Sequence, residues 1–313
     1  MPAALVAMSH SPLIGFVDVP EELKTELDGV FDTARSFVKD FDPTLIINFA
    51  PDHYNGFFYD TMPPFCVGLR GFGLGDYDTA VGDLDVPTEK AESLVSFVQD
   101  QDIDMTMSRY MGLDHGAVQP MEILFGGIDT VPTIPVFVNG VAGPFVPMRR
   151  IRAMGQAIGR WAADQDERVL LIASGGLSHD PPVPQWATAS EDVRKFLLDG
   201  RNPTPEARQA RQERVINAAK DFVEGKATIR DLNPEWDQNF MKMCAEHDIA
   251  GLDALTVDEM VRDAGNSSHE VRTWVSAFSA FGAIGDYKVD YQYYREIKHY
   301  IAGFGVMTAT QQA

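Results

Sequence analysis

Four of the seven histidines adjoin short apolar segments, and this arrangement constrains the fold most strongly. His10 follows PAALVA, His53 follows TLIINFA and His179 follows RVLLIAS, whereas His115 lies just before an apolar stretch. In α/β proteins, a turn that follows a buried strand lies at one edge of the sheet, so a histidine in that turn is placed at the same edge. Imidazole is both a common metal ligand and a common acid or base near neutral pH. The pattern therefore predicts a metal site or a proton-transfer site at a sheet edge.

The remaining segments predict one α/β domain over residues 1–313, with a helical C-terminal half. Buried strands are predicted at 3–8, 44–50, 65–69 and 168–174. A strand at 131–140 contains prolines, which places it at an edge or at the end of the sheet. Helical spacing or composition predicts helices at 21–40, 87–101, 147–164, within 189–225, at 258–265 and at 268–284.

The charge and the cysteine content exclude several classes of protein. A formal net charge of -20 repels phosphates and argues against a nucleic acid partner. The apolar runs are too short to cross a bilayer, and the N-terminus has no signal-peptide pattern. Cys66 and Cys244 form neither a disulfide framework nor a Cys-x-x-Cys pair. We therefore expect a cytoplasmic protein that binds a small molecule and no membrane.

His10 and His53 are the best candidates for metal ligands. Each follows one of the first two strands, which we expect to be neighbours because a single helix joins them. Either histidine alone could simply hydrogen-bond a carbonyl group of its turn. Their shared context at strand ends favours a common ion, while the lack of a Cys-rich cluster argues against structural zinc.

A third ligand is not evident from spacing alone. Glu270 precedes an apolar helix, but the Ser267-x-x-Glu270 spacing is also that of a capping box, which is the simpler interpretation. His269 could be a residue close to the site or an ordinary first-turn histidine. His247 and His299 lie in polar, helix-like surroundings and are expected at the surface.

His115 and His179 lie in glycine-flanked loops, where the backbone can approach a ligand closely. Either could equally be a turn histidine. Ser178 precedes His179 and raises the possibility of a serine nucleophile, but the Gly-x-Ser-x-Gly elbow is absent. The Gly/Asp-rich loop 71–85 does not have convincing spacing for a phosphate site.

Five segments in this order resemble the class III, LigB-type extradiol ring-cleaving dioxygenases. The segments are MSHSP at 8–12, PDHY at 51–54, GLDHG at 112–116, GGLSHD at 175–180 and AGNSSHEVRTW at 264–274. The resemblance extends to the YYREIKHYIAGFG tail and so covers nearly the whole chain. It implies a central mixed sheet flanked by helices.

The resemblance also implies a role for each candidate residue. His10, His53 and Glu270 would bind Fe(II), which reverses the capping interpretation of Glu270. His115 would be the proton donor and His179 the proton acceptor. The implied reaction is extradiol cleavage of 3-(2,3-dihydroxyphenyl)propionate by O2 to 2-hydroxy-6-oxonona-2,4-dienedioate. No segment corresponding to the small subunit of some relatives is evident, so a homo-oligomer of this chain is expected.

Three alternatives stay open at this point. The substrate could be another substituted catechol or an aminophenol, the chain could be a LigB-like binding protein without oxygenase activity, or it could be a metal-dependent hydrolase. A propionate substrate would need a cationic or polar anchor for its carboxylate. Arg272, Arg295 and Lys298 are the candidates for that anchor.

Overall fold

The computed structural model describes residues 2–312, which contain eleven strands and ten α-helices. The strands are β1 (Ala3–Met8), β2 (Leu45–Ala50), β3 (Phe65–Gly68), β4 (Gly71–Leu74), β5 (Val81–Asp83), β6 (Thr106–Ser108), β7 (Met111–Leu113), β8 (Thr133–Val138), β9 (Val169–Ser174), β10 (Tyr287–Ile297) and β11 (Ala302–Gln311). The helices are α1 (Glu21–Phe41), α2 (Thr88–Gln99), α3 (His115–Phe125), α4 (Met148–Ala163), α5 (Glu191–Asp199), α6 (Pro205–Val223), α7 (Pro234–Ala245), α8 (Ile249–Ala254), α9 (Val257–Ala264) and α10 (Arg272–Ile284). Short 3₁₀ helices occupy Asp76–Asp78, Asn266–Val271 and Lys298–Tyr300.

Eight strands form a mixed central sheet in the order β10-β11-β1-β9-β2-β8-β3-β6. The four middle strands, β1, β9, β2 and β8, run parallel to one another, and β11 pairs antiparallel to β1. Parallel strands place their carboxyl ends at the same edge, where ligands bind in open α/β sheets. The expected mixed α/β sheet is confirmed.

The prediction that β1 and β2 are direct neighbours is wrong, because β9 lies between them. All six residues of β9 are buried and pair with β1 on one side. On the other side β9 pairs with β2. The connection from β1 through α1 to β2 thus passes over one strand position. That position is occupied by β9, which follows β2 by more than one hundred residues. The histidines that follow β1 and β2 still reach the same edge of the sheet.

The prediction that the proline-containing strand lies at an edge or a sheet end is also wrong. This strand, β8, lies between β2 and β3. Pro135 is in register with Asn48 of β2, but the ladder with β3 includes only Val136, Phe137 and Val138 and so ends before Pro135. Gly68, at the end of β3, leaves room for the proline ring, because a Cβ atom on Gly68 would lie only 2.8 Å from Cγ of Pro135.

Helices cover both faces of the sheet and bury two hydrophobic cores. Alternate residues of β1 serve the two cores, as expected for a strand that is buried on both sides. One core includes residues of α2, α4 and α10, and the other includes residues of α1 and α3. The buried residues of α1 recur at three- and four-residue spacing, which is why this segment forms an amphipathic helix.

The C-terminal half is largely helical, as expected, but the chain ends in a long antiparallel hairpin of β10 and β11. The sequence interpretation left this aromatic-rich tail unassigned. Cys66 and Cys244 are both free and buried. Within residues 2–312, every helix is too short or too polar to cross a bilayer.

Candidate active site

The carboxyl ends of β1, β2 and β9 bring three of the four predicted histidines into one cavity of about 440 Å³. His10 follows β1, His53 follows β2 and His179 follows β9. His115, at the start of α3, and Glu270 line the same cavity. The structure therefore gathers all five predicted site residues in one place.

A chain of hydrogen bonds fixes the tautomer of His10. Pro120 lies inside α3 and has no N–H group to donate to the carbonyl of Gly116, four residues earlier. The Ser174 hydroxyl donates to that carbonyl instead, at 2.5 Å. Because its hydrogen is used there, the Ser174 oxygen accepts from Nδ1 of His10, at 2.9 Å. His10 thus carries its proton on Nδ1 and leaves an Nε2 lone pair for the cavity.

Asp114 holds His53 in place, although the two residues are far apart in sequence. Its Oδ2 accepts from the backbone N–H of His53 at 2.7 Å and lies 3.0 Å from Nδ1 of the ring. Its Oδ1 accepts from the Gly116 N–H and so caps α3. The ring that Asp114 contacts is therefore that of His53, and not that of its sequence neighbour His115.

Glu270 faces three imidazoles and does not form a capping box. Its Oε1 lies 3.0 Å from Nε2 of both His53 and His179, and its Oε2 lies 3.6 Å from Nε2 of His10. The N–H of Gly176 donates to Oε2 at 2.9 Å.

The backbone around Glu270 accounts for this orientation. The N–H of Ser267 donates to the His179 carbonyl, so Glu270 is not needed as its cap. A Cβ on Gly175 would lie 2.6 Å from the Glu270 carbonyl oxygen, so glycine is required for this close approach. The capping interpretation drawn from spacing alone is therefore wrong.

Asp76 holds His115, and it comes from the Gly/Asp-rich loop whose role the sequence did not reveal. Its Oδ2 lies 2.5 Å from Nδ1 of His115, and its Oδ1 accepts from the backbone N–H at 2.9 Å. A small sheet of β5, β4 and β7 supports this loop. The ring of His115 stacks on that of His53 with 4.4 Å between centroids.

His179 is oriented by its own turn. Its Nδ1 donates to the Leu177 carbonyl at 2.8 Å, so the neutral ring has its lone pair on Nε2, which faces Glu270. The neighbouring Asp180 accepts instead from the backbone and side chain of Asn266.

Burial and the local charges set the protonation of these groups. Burial lowers the pKa of His10 to about 3, so this ring is neutral near pH 7. Burial also opposes charge on His53, but Asp114 and Glu270 hold its pKa well above the usual value. The pKa of His179 is raised because Glu270 outweighs the effect of burial. Burial opposes the charge on Glu270 as well, yet the surrounding imidazoles hold its pKa well below its usual value.

The donor set fits a divalent metal ion. Buried carboxylates of Asp76, Asp114 and Glu270 converge on the imidazoles. A bound cation would offset this negative charge, which is costly to bury. Donor atoms of His10, His53 and His115 lie within 4.8 Å of one another, and Glu270 faces the first two. Imidazole and carboxylate together suit Fe(II) or Mn(II).

Other residues considered from the sequence lie elsewhere or have other partners. Ser178 donates to Asp237, which argues against a serine nucleophile. His269 is buried against Phe145, and among residues 2–312 neither of its ring nitrogens has a hydrogen-bond partner. His247 and His299, which were expected at the surface, are both half-buried, and the ring of His247 packs against Tyr287. The three proposed carboxylate anchors are engaged elsewhere: Arg272 donates to Val146, Arg295 pairs with Glu26, and Lys298 lies 3.6 Å from Asp231.

Comparisons with known proteins agree with this geometry. Residues 4–305 match the family described as the catalytic LigB subunit of aromatic ring-opening dioxygenase. The chain is 56% identical over 309 residues to a 2,3-dihydroxyphenylpropionate/2,3-dihydroxicinnamic acid 1,2-dioxygenase of Rhodococcus globerulus, covering 99% of this chain and 98% of that protein. It is 47% identical to the protein of that name from Klebsiella pneumoniae, over the full length of both.

Among solved structures, an uncharacterised protein of Escherichia coli K12 has a similar fold. The TM-score is 0.51 at 15% identity, and the match covers 97% of this chain and 98% of that one. At this level of identity the match supports the fold alone.

Proposed function

Because the chain belongs to the LigB family of aromatic ring-opening dioxygenases, we propose that it cleaves 3-(2,3-dihydroxyphenyl)propionate and the related cinnamate with O2. The proposed cleavage is extradiol, beside the two hydroxyl groups and not between them, and gives 2-hydroxy-6-oxonona-2,4-dienedioate from the propionate. The convergence of His10, His53, His115, His179 and Glu270 in one cavity carries this proposal.

In this proposal His10, His53 and Glu270 hold Fe(II). The two imidazoles present Nε2, since each Nδ1 is bound to Ser174 or Asp114. Ligands of this kind are typical of non-haem iron enzymes with open coordination positions. When bound, the ion would lower the pKa of the catechol hydroxyl and allow triplet O2 to react with the ring.

His179 acts as the proton acceptor. Its Nδ1 proton is committed to the Leu177 carbonyl, so Nε2 is the basic atom that faces the cavity. It takes the proton of a catechol hydroxyl as the substrate binds. Glu270 lies 3.0 Å from Nε2 and stabilises the imidazolium that forms.

His115 acts as the proton donor. The Asp76 carboxylate holds Nδ1, so Nε2 is the nitrogen of His115 that is available to deliver a proton to an oxygen atom of the reacting O2. The two histidines thus have different partners, a carbonyl in one case and a carboxylate in the other. Such a difference in partners suits different roles for the two rings in proton transfer.

The walls of the cavity restrict access of water to the reacting groups. Apolar residues of the segment after His179 and of α5 line it, including Val183, Val193 and Phe196. A cavity of this size suits a ligand with one aromatic ring.

We also propose that the chain acts as a single domain and assembles as a homo-oligomer. Light scattering would distinguish a homo-oligomer from a monomer.

An oxygen-uptake assay tests the proposed function. The protein is loaded anaerobically with Fe(II) and mixed with 3-(2,3-dihydroxyphenyl)propionate, here called the catechol propionate, and O2 is then admitted. We expect a yellow ring-fission product with one O2 consumed for each substrate molecule. A panel containing catechol, 3-methylcatechol and 2-aminophenol distinguishes alternative substrates. No oxygen uptake with any of these compounds, despite bound iron, would contradict the proposal.

A further inference from the structure

Three arginines on α6 face the cavity without a carboxylate partner. Arg208, Arg211 and Arg214 recur at three-residue spacing, which places them on one side of the helix, and all three line the cavity. Within residues 2–312 their side-chain hydrogen bonds go to carbonyl and amide oxygens only. The three guanidinium groups bring positive charge to one cavity of a chain in which acidic residues outnumber basic ones by 46 to 26. This arrangement indicates an anionic ligand.

Arg211 is fixed beside the proposed metal ligands. Its guanidinium donates to the His53 carbonyl at 3.1 Å and to Asn55 Oδ1 at 3.4 Å. It also lies over the ring of Phe196, 4.5 Å from the centroid. A guanidinium has five N–H donors, so donors remain for a ligand in the cavity.

Arg214 lies one turn further along α6 and is exposed. Tyr77 connects the two arginines to the histidines. Its ring packs edge-on against His115, with 5.2 Å between the ring centroids, and Tyr77 lines the cavity together with both arginines. The two guanidinium groups therefore share one cavity with the histidine cluster, and Arg214 is exposed to solvent.

We propose that Arg214, supported by Arg211, binds the side-chain carboxylate of the substrate and thereby selects catechols that carry an acidic chain. This inference rests on the proposed function and deepens it. Asp192 also lines the cavity, where its exposed carboxylate lies 3.4 Å from Lys195. Planar guanidinium groups bind carboxylates in a bidentate manner, which fixes both the position and the orientation of the ring.

The test compares Arg214→Gln with the wild type on two substrates. For the catechol propionate we expect kcat/KM to fall about tenfold, mainly through KM, because one charge-assisted contact is lost. For 3-methylcatechol, which has no carboxylate, kcat/KM should stay within about twofold. Lys298→Gln is the matched control, because it removes a cation that pairs with Asp231 outside the cavity. Arg214→Lys should restore part of the loss.

Equal losses on both substrates, or no loss on either, would overturn the assignment of Arg214. Binding of 3-phenylpropionate gives a readout that does not depend on ring cleavage, since this compound has the carboxylate but no catechol hydroxyls. Calorimetry should show a Kd about tenfold higher for Arg214→Gln than for the wild type. A Kd of Arg214→Gln equal to that of the wild type would overturn the inference about Arg214, even if the wild type cleaves the catechol ring. Absence of ring cleavage by the wild type would instead overturn the proposed function.

Discussion

At the scale of single residues, each histidine of the cavity has its Nδ1 bound to a different acceptor. This arrangement turns every Nε2 toward the cavity and selects the nitrogen that can act. The sequence identified the imidazoles because they adjoin apolar segments, but it could not identify their acceptors. The partners of His10, His53 and His115 lie 164, 61 and 39 positions away, respectively. The four acceptors are the Ser174 hydroxyl, the carboxylates of Asp114 and Asp76, and the Leu177 carbonyl.

Ser174→Ala tests this account of His10. The change removes the acceptor of Nδ1 and frees the ring to rotate or to change tautomer. We expect metal affinity to fall about tenfold, which a competition titration with a metal indicator would measure. Ser276→Ala is the control, because Ser276 donates only to the Arg272 carbonyl within α10. Metal affinity equal to that of the wild type would contradict the proposed role of Ser174.

At the scale of elements, five of the eleven strands in residues 2–312 and most helices could be predicted, but their arrangement could not. Short apolar runs and amphipathic spacing identified β1, β2, β9 and α1 to within a few residues. The order of the strands depends on pairing between distant segments, so neither the insertion of β9 nor the interior position of β8 was predicted. The site was predictable despite these errors, because parallel strands share one edge whatever their order.

Asp237, on α7, connects three elements and makes stability depend on pH. It accepts from the N–H and hydroxyl of Ser178 and from the hydroxyl of Tyr294 on β10. Burial raises its pKa to about 6. Between pH 4 and 6 the folded state therefore holds this proton more tightly than the unfolded state does, and the contribution of Asp237 to stability falls by about 3 kcal/mol as pH rises through this window.

Asp237→Asn should remove this slope, because the amide does not titrate. Urea unfolding of the metal-free protein at several values between pH 4 and pH 7 would measure it. We expect the free energy of unfolding of the variant to fall less over this range than that of the wild type. If the free energy of unfolding changes with pH in the same way for the variant and the wild type, Asp237 is not the group responsible for the pH dependence.

At the scale of the whole molecule, the acidic chain buries several carboxylates around one cavity. Asp76, Asp114 and Glu270 are each almost inaccessible to solvent, and all three contact imidazoles. A fold that concentrates negative charge in this way is stabilised by a cation in the cavity. Metal binding should therefore contribute to folding stability as well as to activity.

Scanning calorimetry with and without Mn(II) tests this coupling without the complication of iron oxidation. At a metal concentration 100 times the Kd, we expect a stabilisation of about 2.7 kcal/mol. The corresponding rise in Tm is about 5 °C. The chelated protein serves as the reference, and His10→Ala should show little or no rise. An equal rise in His10→Ala would indicate that the metal stabilises the protein from another site.

The central claim is that His10 holds the metal whereas His179 moves a proton. Measuring bound iron and ring cleavage together in His10→Ala and His179→Ala tests it most directly. We expect His10→Ala to lose iron affinity by more than about 100-fold, and His179→Ala to keep its iron while losing turnover. Iron retained by His10→Ala, together with iron lost from His179→Ala, would contradict this assignment.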